Sequence, residues 1–343
     1  MNVAELDAVI SRVRASRDKG VAWLLAHTAA DGEPVGAKER NGWGRVPWAL
    51  AVAGEGEAAA RVIAWAERSQ LAADGGFAPG PAFGSGRFGA YPLAHFAIGA
   101  WLTERFGTSL AAMNALRRMQ DPATGGLPIA PVANRESDIY DLLSTAQVGV
   151  AAVITGQDDV ADLAYRWVVD LVDQQPADAG SRFYSFRRGP ALIAEPEGQL
   201  TWLALTDFSK PRQSFYTPGM AAVFLAGYAQ RRGEQEALRI ASRLLEFNIK
   251  GCAEQFEDPG SVQVCKFGWG AAAMLVAEPD GDCLTHVCRM GNWFIANQHR
   301  DGAWAPSSFL VNNPSDIDKL VKTAEHVMEV NAILTALGTA RAR

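Results

Sequence analysis

Residues 293–307, WFIANQHRDGAWAPS, contain the apolar end of a helix, a polar residue and then a Gly-rich turn. This pattern occurs six times along the 343-residue chain. Each interval between copies is long enough for two helices and a connecting loop, so the sequence predicts a repeat protein built from helix pairs. The copies begin at Trp23, Trp65, Leu116, Trp167, Leu244 and Trp293, at intervals of 42, 51, 51, 77 and 49 residues.

The two helices of each predicted pair differ in how their apolar residues are distributed. One type has apolar residues at positions i, i+3, i+4 and i+7 with charges between them, as in residues 57–70 and 234–247, and this is typical of an outer helix. The other type is apolar around most of its circumference, which predicts a buried inner helix. Glycine residues are expected to end the inner helices in the left-handed conformation. These glycines are Gly54, Gly107, Gly156 and Gly233.

The two ends of the sequence complete this arrangement. Residues 322–338 have the inner pattern, and the first helix, which ends near residues 23–28, has the outer pattern. Pairing them gives an all-α, (α/α)6 toroid of six inner and six outer helices, and we expect residues 1–343 to form this single domain. The longest interval holds an insert at about residues 180–213 that is rich in Phe, Tyr, Pro and Arg. We expect it to form a short hairpin or a lid over one mouth.

The composition is that of a globular protein and excludes several functional classes. Hydrophobic residues make up 48 % of the chain, and 32 Lys and Arg against 38 Asp and Glu give a net charge of −6. This acidic balance argues against a general nucleic-acid binder. No apolar run approaches the length of a membrane span, and the first 20 residues lack the apolar core of a signal peptide, so we expect a cytoplasmic protein. The four cysteines show no paired spacing, so a disulfide framework is not expected.

The segment Gly291–Trp304 reads G-x2-F-I-x2-Q-x3-G-x-W and resembles the QW repeat of the squalene-cyclase and protein-prenyltransferase superfamily. Weaker copies lie at residues 70–77 and 120–127, and residues 144–147 are similar to an inner-helix element of that superfamily. A Gln at this position can bond backbone groups at the end of an outer helix, and the Trp ring can stack over the next one. The resemblance implies a toroid and a terpene cyclase-like or prenyltransferase-like enzyme of secondary metabolism.

The reactive motifs of this superfamily are only partly present, which indicates an atypical member. Class II terpene cyclases protonate their substrates with an Asp-x-Asp-Asp motif, and the nearest match here is Asp138-Ile-Tyr-Asp141. The Asp-x-Cys pair that holds zinc in the prenyltransferases is missing from the sequence. The two Cys and one His of the lanthionine cyclases are imitated only loosely by Cys265 with Cys283 or Cys288. We therefore expect neither a metal nor a cofactor.

Polar residues near the first turns of inner helices are the best candidates for chemistry, because these turns face the mouth of the central cavity. Asp138 and Asp141 lie at the entry to the third inner helix. A buried carboxyl group there has a raised pKa and can protonate an alkene, whereas the alternative interpretation is helix capping. Asp141 is the preferred acid, because Thr145 lies one turn further on and is placed to orient it.

Two histidines and a glutamate are further catalytic candidates. His95 and His326 each lie twelve residues before a glycine that is expected to close an inner helix, which places them at one level of the barrel. They can serve as acid and base, or they can be core histidines with satisfied hydrogen bonds. Glu325 is expected to complete a carboxylate–His–carboxylate set with Asp141, or else to pair with Lys322 on a solvated face.

Aromatic and cationic residues gather at the same ends of the inner helices. Aromatic faces stabilise cations and shape an apolar pocket, although such residues are also common in cores. Arg45, Arg212, Lys266 and Lys322 can hold an anionic group such as a carboxylate or diphosphate, helped by helix N-termini, or they can be surface cations. The candidate substrate-binding residues are Trp43, Trp48, Tyr91, Tyr140, Tyr216, Lys266 and Trp269.

These observations favour a terpene cyclase-like enzyme that catalyses acid/base cyclisation, isomerisation or a related lyase step on an apolar polyene-type substrate. The expected partner is a small apolar molecule with an anionic handle, and not a nucleic acid. Two alternatives stay open. One is a carbohydrate-active (α/α)6-barrel hydrolase, lyase or epimerase that uses Asp138 or Asp141 with Glu325. The other is a non-enzymatic binding module, because residues 251–255, GCAEQ, resemble the motif of thioester domains.

Overall fold

The computed structural model describes residues 2–78, 89–130, 138–279 and 281–343. Residues 79, 80 and 131, which end the second and third copies of the repeat, lie outside these ranges. The α-helices are α1 Val3–Ala26, α2 Val46–Val52, α3 Gly56–Ser69, α4 Ala90–Leu102, α5 Phe106–Met119, α6 Leu142–Thr155, α7 Asp158–Asp173, α8 Thr201–Ala204, α9 Thr217–Arg232, α10 Gln235–Lys250, α11 Glu254–Glu257, α12 Cys265–Ala277, α13 Cys283–Ala296 and α14 Asp316–Arg341. The strands are β1 Ile139–Asp141, β2 Arg182–Tyr184, β3 Phe186–Arg188, β4 Ala191–Leu192 and β5 Leu205–Asp207.

Six helices form an inner ring. In the order α2, α4, α6, α9, α12 and α14, each helix packs against the next, and α14 packs against α2 and closes the ring. The outer helices α3, α5, α7, α10, α13 and α1 each pack against one inner helix, with α1 on α14. The predicted (α/α)6 toroid is therefore confirmed, and its sixth pair joins the first helix to the last.

The burial pattern follows the two helix types. In α9 every residue from 217 to 226 is buried, whereas α10 alternates buried apolar residues with exposed charges. Among the described helices, none is both long and apolar enough to cross a membrane.

Not every predicted helix end is correct. Gly156 and Gly233 do end α6 and α9, with positive φ angles of 78° and 74°. However, α4 ends at Leu102, and the following turn places Glu104 at a positive φ of 61°, so Gly107 lies inside α5. Gly338 lies inside α14, where a helix tolerates glycine at a cost of about 1 kcal/mol. The counting that placed His95 and His326 at one level of the barrel is therefore wrong.

The Gly-rich turns connect neighbouring outer helices. A Cβ atom on Gly302 would lie 2.6 Å from the backbone oxygen of Lys19 in α1, and one on Gly125 would lie 2.2 Å from the oxygen of Leu163 in α7. Both glycines also have positive φ angles, so no other residue fits these turns without strain. Gly32 and Gly75 approach the next outer helix, α3 and α5, in the same way.

The Gln residues of two repeats strengthen these turns. Gln298 Nε2 donates to the backbone oxygens of Ser16, at 2.9 Å, and Gly302, at 2.8 Å, and thereby joins the turn to α1. Gln120 Nε2 donates to the oxygen of Gly125, in its own turn, and to that of Val160 in α7. The QW-like segment thus acts as a structural connection between repeats.

The insert forms two small antiparallel sheets. One sheet pairs β2 with β5, and the other places β3 between β1 and β4. In the β1–β3 pair Asp141 lies opposite Phe186, and the N–H of Leu142 donates to the oxygen of Ser185 at 3.0 Å. The insert is therefore hydrogen-bonded to the segment that begins α6.

Candidate active site

A cavity of about 300 Å³ lies at the end of the barrel where the inner helices begin. Its walls come from the starts of α4, α6, α9 and α12, from the second and third turns of α14, and from the residue that precedes α2. The insert adds a further wall made of Ser185, Phe186 and Leu203. Each inner helix or its preceding residue contributes at least one polar or charged side chain, and these include Arg45, Tyr91, Asp141, Thr217, Lys266 and Glu325.

Asp141 has two carboxyl oxygens in different situations. Its Oδ1 caps α6 by accepting a hydrogen bond from the N–H of Ser144 at 2.8 Å. Its Oδ2 is buried and has no hydrogen-bond partner among the residues that the structure describes. Burial raises the pKa of Asp141 to about 6, and the Ser144 hydrogen bond only partly opposes this rise. Asp141 therefore keeps its proton up to about pH 6, on a side chain that lines the cavity.

Thr145 does not orient this acid, contrary to the prediction from its spacing. Its hydroxyl oxygen accepts a hydrogen bond from the N–H of Leu127 at 3.0 Å and so fixes the segment before β1. The carboxyl group of Asp141 is held instead by the N–H of Ser144 and by the backbone pairing of β1 with β3.

Glu325 lies in the cavity wall with both oxygens engaged. Its Oε1 accepts from Lys266 Nζ at 2.5 Å and from the Tyr91 hydroxyl at 3.2 Å, and its Oε2 accepts from Lys322 Nζ at 2.8 Å. Lys266 also reaches Glu329 Oε1 at 3.2 Å. Burial by itself raises the pKa of Glu325, but the two lysines outweigh it and hold this pKa well below its usual range. Glu325 is thus an ionised partner of two lysines, and it is buried rather than solvated.

The two candidate histidines lie behind the cavity wall. His326 Nδ1 bonds Glu329 Oε2 at 2.7 Å, and its ring packs edge-on against three aromatic rings of the outer layer and turn. His95 Nδ1 donates to the backbone oxygen of Tyr91 at 2.8 Å, one turn deeper in the barrel. Burial lowers the pKa of both rings. The expected set of Asp141, His326 and Glu325 does not form, because His326 pairs with Glu329 and does not line the cavity.

The remaining sequence candidates divide between the cavity and other places. Tyr91, Tyr216 and Lys266 line the cavity together with Asp141 and Glu325. Asp138 is exposed, and its Oδ2 lies 3.6 Å from Arg188 Nε. Tyr140 is half-buried and does not line the cavity. Trp43 belongs to the core, 5.1 Å from Trp65. Trp48 and Trp269 line a separate, apolar pocket of about 410 Å³ towards the C-terminal ends of the inner helices.

The sequence placed the insert at one mouth of the barrel but did not identify which of its residues line the cavity. Ser185, Phe186 and Leu203 line the cavity, but they carry no motif, and only the aromatic content of the insert pointed towards a mouth. Gln263, just before α12, was also missed. The candidate cation Arg212 lies elsewhere, in an ion pair of 2.8 Å with Asp258.

One group of side chains in the described part of the chain has the spacing of a metal site. Cys265, Glu325, His326 and Glu329 place one ligand atom each within 4.8 Å of one another. However, the ammonium group of Lys266 already bonds both carboxylates. A cation would have to displace this lysine, so the donor set fits a buried ion-pair cluster better than a metal centre.

In the thioester-like motif, the Cys252 thiol and the Gln255 side chain each bond backbone oxygens. The thiol of Cys252 donates to the backbone oxygen of Lys210 at 3.3 Å, and Gln255 Nε2 donates to the oxygens of Asn248 and Cys252 at 2.9 Å. These bonds organise the turn after α10, and no contact here favours the binding-module alternative.

The fold and this cavity define an α/α toroid with a protonatable carboxyl group at one mouth. No protein-family model matches the chain, and no curated protein sequence matches it. Solved structures do resemble it. The type II terpene cyclase MstE from Scytonema is 14 % identical, with 96 % of this chain and 99 % of that chain covered and a TM-score of 0.60.

Two further similar structures have other activities. A D-mannose isomerase is 14 % identical, with 94 % and 97 % of the two chains covered and a TM-score of 0.62. An unsaturated glucuronyl hydrolase specific for heparin is 9 % identical, with 96 % and 97 % covered and a TM-score of 0.64. At these identities the similarity establishes the α/α toroid, and the resemblance to the QW-repeat superfamily remains a proposal.

Proposed function

We propose that this chain is an enzyme of the cyclase or isomerase type in which Asp141 protonates an apolar, polyene-type substrate. The observation that carries this proposal is the second oxygen of Asp141, which is buried, with no hydrogen-bond partner in the described ranges, on a side chain that lines the cavity. A carboxyl proton in this position is not used by the fold and is available to a bound molecule. The toroid of a terpene cyclase has the same architecture, which supports the proposal.

The surrounding wall suits a reaction through a carbocation. Leu143, Phe186, Leu203 and Val321 provide apolar surface that excludes water from a reactive intermediate. Protonation of a carbon–carbon double bond by Asp141 leaves a carbocation on the substrate and a carboxylate on the enzyme. The carboxylate then takes a proton from a neighbouring carbon, so the acid is restored and the product is an isomer or a cyclised isomer. The rings of Tyr91 and Phe186 can stabilise the cation in between.

A second candidate function is a carbohydrate-active enzyme. Asp141 and Glu325 line one cavity, and their environments shift their pKa values in opposite directions, as in enzymes that use two carboxyl groups. The isomerase and hydrolase among the similar structures support this alternative. We place it second because both oxygens of Glu325 are held by lysines, which leaves no free oxygen to act as base or nucleophile.

Asp141→Asn is the test, because the Asn oxygen can still accept the Ser144 hydrogen bond while the acid proton is removed. Turnover of polyene alcohols and acids is expected to fall by about 10²- to 10⁴-fold, the usual contribution of a general acid. Asp121→Asn is the matched control, because this carboxylate organises a turn through Thr124 outside the cavity lining. Unchanged polyene turnover in Asp141→Asn would exclude this role. Turnover of uronides or mannose that is lost in Glu325→Gln would instead establish the carbohydrate alternative.

A further inference from the structure

One cation of the cavity, Arg45, makes no direct ion pair in the described part of the chain, although its charge helps to lower the pKa of Glu325. Lys266 and Lys322 both bond carboxylates, whereas Arg45 lies within ion-pair distance of no carboxylate in the described part of the chain. The Nε atom of Arg45 is buried without a hydrogen-bond partner, and Nη1 reaches only the backbone oxygen of Gly42 at 3.4 Å. Its guanidinium group lies 4.9 Å from the centre of the Tyr91 ring. The guanidinium group is half-buried, and a buried N–H such as Nε is costly unless an acceptor satisfies it.

Below about pH 6, where Asp141 keeps its proton, the charges around the cavity leave a positive excess of one. The three cations face two carboxylates, Glu325 and Glu329, when Asp141 is protonated. Burial keeps the neighbouring groups neutral, because it raises the pKa of Tyr216 to about 12 and also raises the pKa of the Cys265 thiol. A ligand with one negative charge therefore balances the site.

We propose that Arg45 binds a carboxylate group of the substrate, so that this site accepts an apolar monocarboxylate. This inference rests on the proposed function and specifies its substrate class. The planar guanidinium group can form two parallel hydrogen bonds to a carboxylate, and the Tyr91 ring beneath it restricts its orientation. The first turns of α4, α6, α9 and α12 also line this cavity, and helix N-termini favour an anion. A phosphate ester carries more negative charge than the site can neutralise.

The test uses three probes with the same alkyl chain: octanoate, the neutral octanamide and octyl phosphate. Binding is measured calorimetrically at pH 7 in the Asp141→Asn protein, which keeps residue 141 neutral. Octanoate is expected to bind at least about tenfold more tightly than octanamide, because a charge-assisted pair is lost in the amide. Arg45→Gln in the same background is expected to remove this preference. Arg61→Gln is the control and is expected to leave it unchanged, because Arg61 pairs with Glu57 on an outer helix.

The outcomes separate this inference from the proposed function. Equal binding of octanoate and octanamide by the Asp141→Asn protein would overturn the carboxylate site, and this comparison does not depend on whether the Arg45 variant folds. Tighter binding of octyl phosphate than of octanoate would also overturn it. Either result leaves the role of Asp141 to be judged by turnover alone. A clear preference for octanoate supports the inference even if Asp141→Asn retains full turnover.

Discussion

Asp141 has a structural and a chemical role, one for each carboxyl oxygen. The sequence allowed both a helix cap and an acid at this position, and the two are compatible, because Oδ1 caps α6 while Oδ2 is buried without a hydrogen-bond partner among the described residues. A buried carboxyl group of this kind reduces stability when it ionises. The residue that we propose as the acid is therefore expected to destabilise the fold at neutral pH.

This cost can be measured by comparing stability at different pH values. Burial raises the pKa of Asp141 from 3.8 to about 6, so the folded protein binds its proton more tightly than the unfolded chain does. Stability then falls as the pH rises from about 4 to 6, by up to about 3 kcal/mol. We expect Asp141→Asn to be about 1–3 kcal/mol more stable than the natural protein at pH 8 and equal to it near pH 4, by urea denaturation.

Asp121→Asn is the control, and its effect on stability at pH 8 is expected to be opposite to that of Asp141→Asn. Burial opposes the shift, but hydrogen bonds from Thr124 and Ala123 lower the pKa of Asp121, so its ionised form is favoured in the folded state. Its replacement is expected to lower stability at pH 8. An Asp141→Asn protein that is less stable than the natural protein at pH 8 would contradict the assignment of a desolvated carboxyl group.

Position relative to a helix start was the most reliable sequence signal for individual residues. It placed Asp141, Tyr91 and Lys266 near the mouth, and all three line the cavity. It failed for His95 and His326, because their depth was counted from glycines that do not end the helices. Whether a histidine faces a cavity or a neighbouring helix depends on its packing partners. For His326 the partner is Glu329, one turn further along α14, and no sequence motif marks this pair.

At the level of elements, the repeat is held by the contact of each Gly-rich turn with the next outer helix. The Gln residues of the copies differ in how they support this contact, and Gln120 of a weak copy bonds its turn and α7 as Gln298 bonds its turn and α1. Gln298 bonds both its own turn and α1, whereas Gln70 Nε2 reaches only the Ser69 hydroxyl at 3.4 Å.

This difference predicts unequal effects of the same substitution. Gln298→Ala removes bonds to Ser16 and Gly302 and leaves their backbone oxygens without this donor, so it is expected to cost about 2–3 kcal/mol of unfolding free energy. Gln70→Ala, the matched control, is expected to change stability by less than about 0.5 kcal/mol. Urea denaturation of the two variants measures both values. Similar losses at the two positions would show that the repeat is not stabilised in this way.

The strands of the insert could not be predicted in the same manner. Each strand is two or three residues long, which is too short to show the alternation that identifies a strand. One of them, β3, also pairs with β1, which lies about fifty residues earlier in the chain and ends with Asp141. A hairpin or a lid was expected, and β3 and β4 do form a short antiparallel hairpin, in a segment that is also hydrogen-bonded to the start of α6.

On the scale of the whole molecule, the closed ring gives every inner helix two inner neighbours. An open stack of repeats has terminal units with one neighbour, and such units can unfold first. The toroid was predictable because helix type, repeat length and chain ends all agreed. The activity could not be predicted in the same way, because structures that are 9–14 % identical to this chain share its architecture and have different activities.

Ring closure predicts a single cooperative unfolding transition. In differential scanning calorimetry we expect one peak, with the calorimetric enthalpy equal to the van't Hoff enthalpy. The insert is expected to unfold in the same transition, because β3 is paired with β1 at the start of α6. Two resolved transitions, or an early loss of the insert, would show that residues 1–343 do not behave as one domain.

The most direct test of the account is a titration of the Asp141 carboxyl carbon by NMR in the ligand-free protein, with the signal assigned by its loss in Asp141→Asn. A desolvated carboxyl group with one unpartnered oxygen predicts a midpoint near pH 6. A midpoint near pH 4, the value of an ordinary aspartate, would mean that water or another partner solvates this oxygen, and Asp141 would then lose its place as the acid.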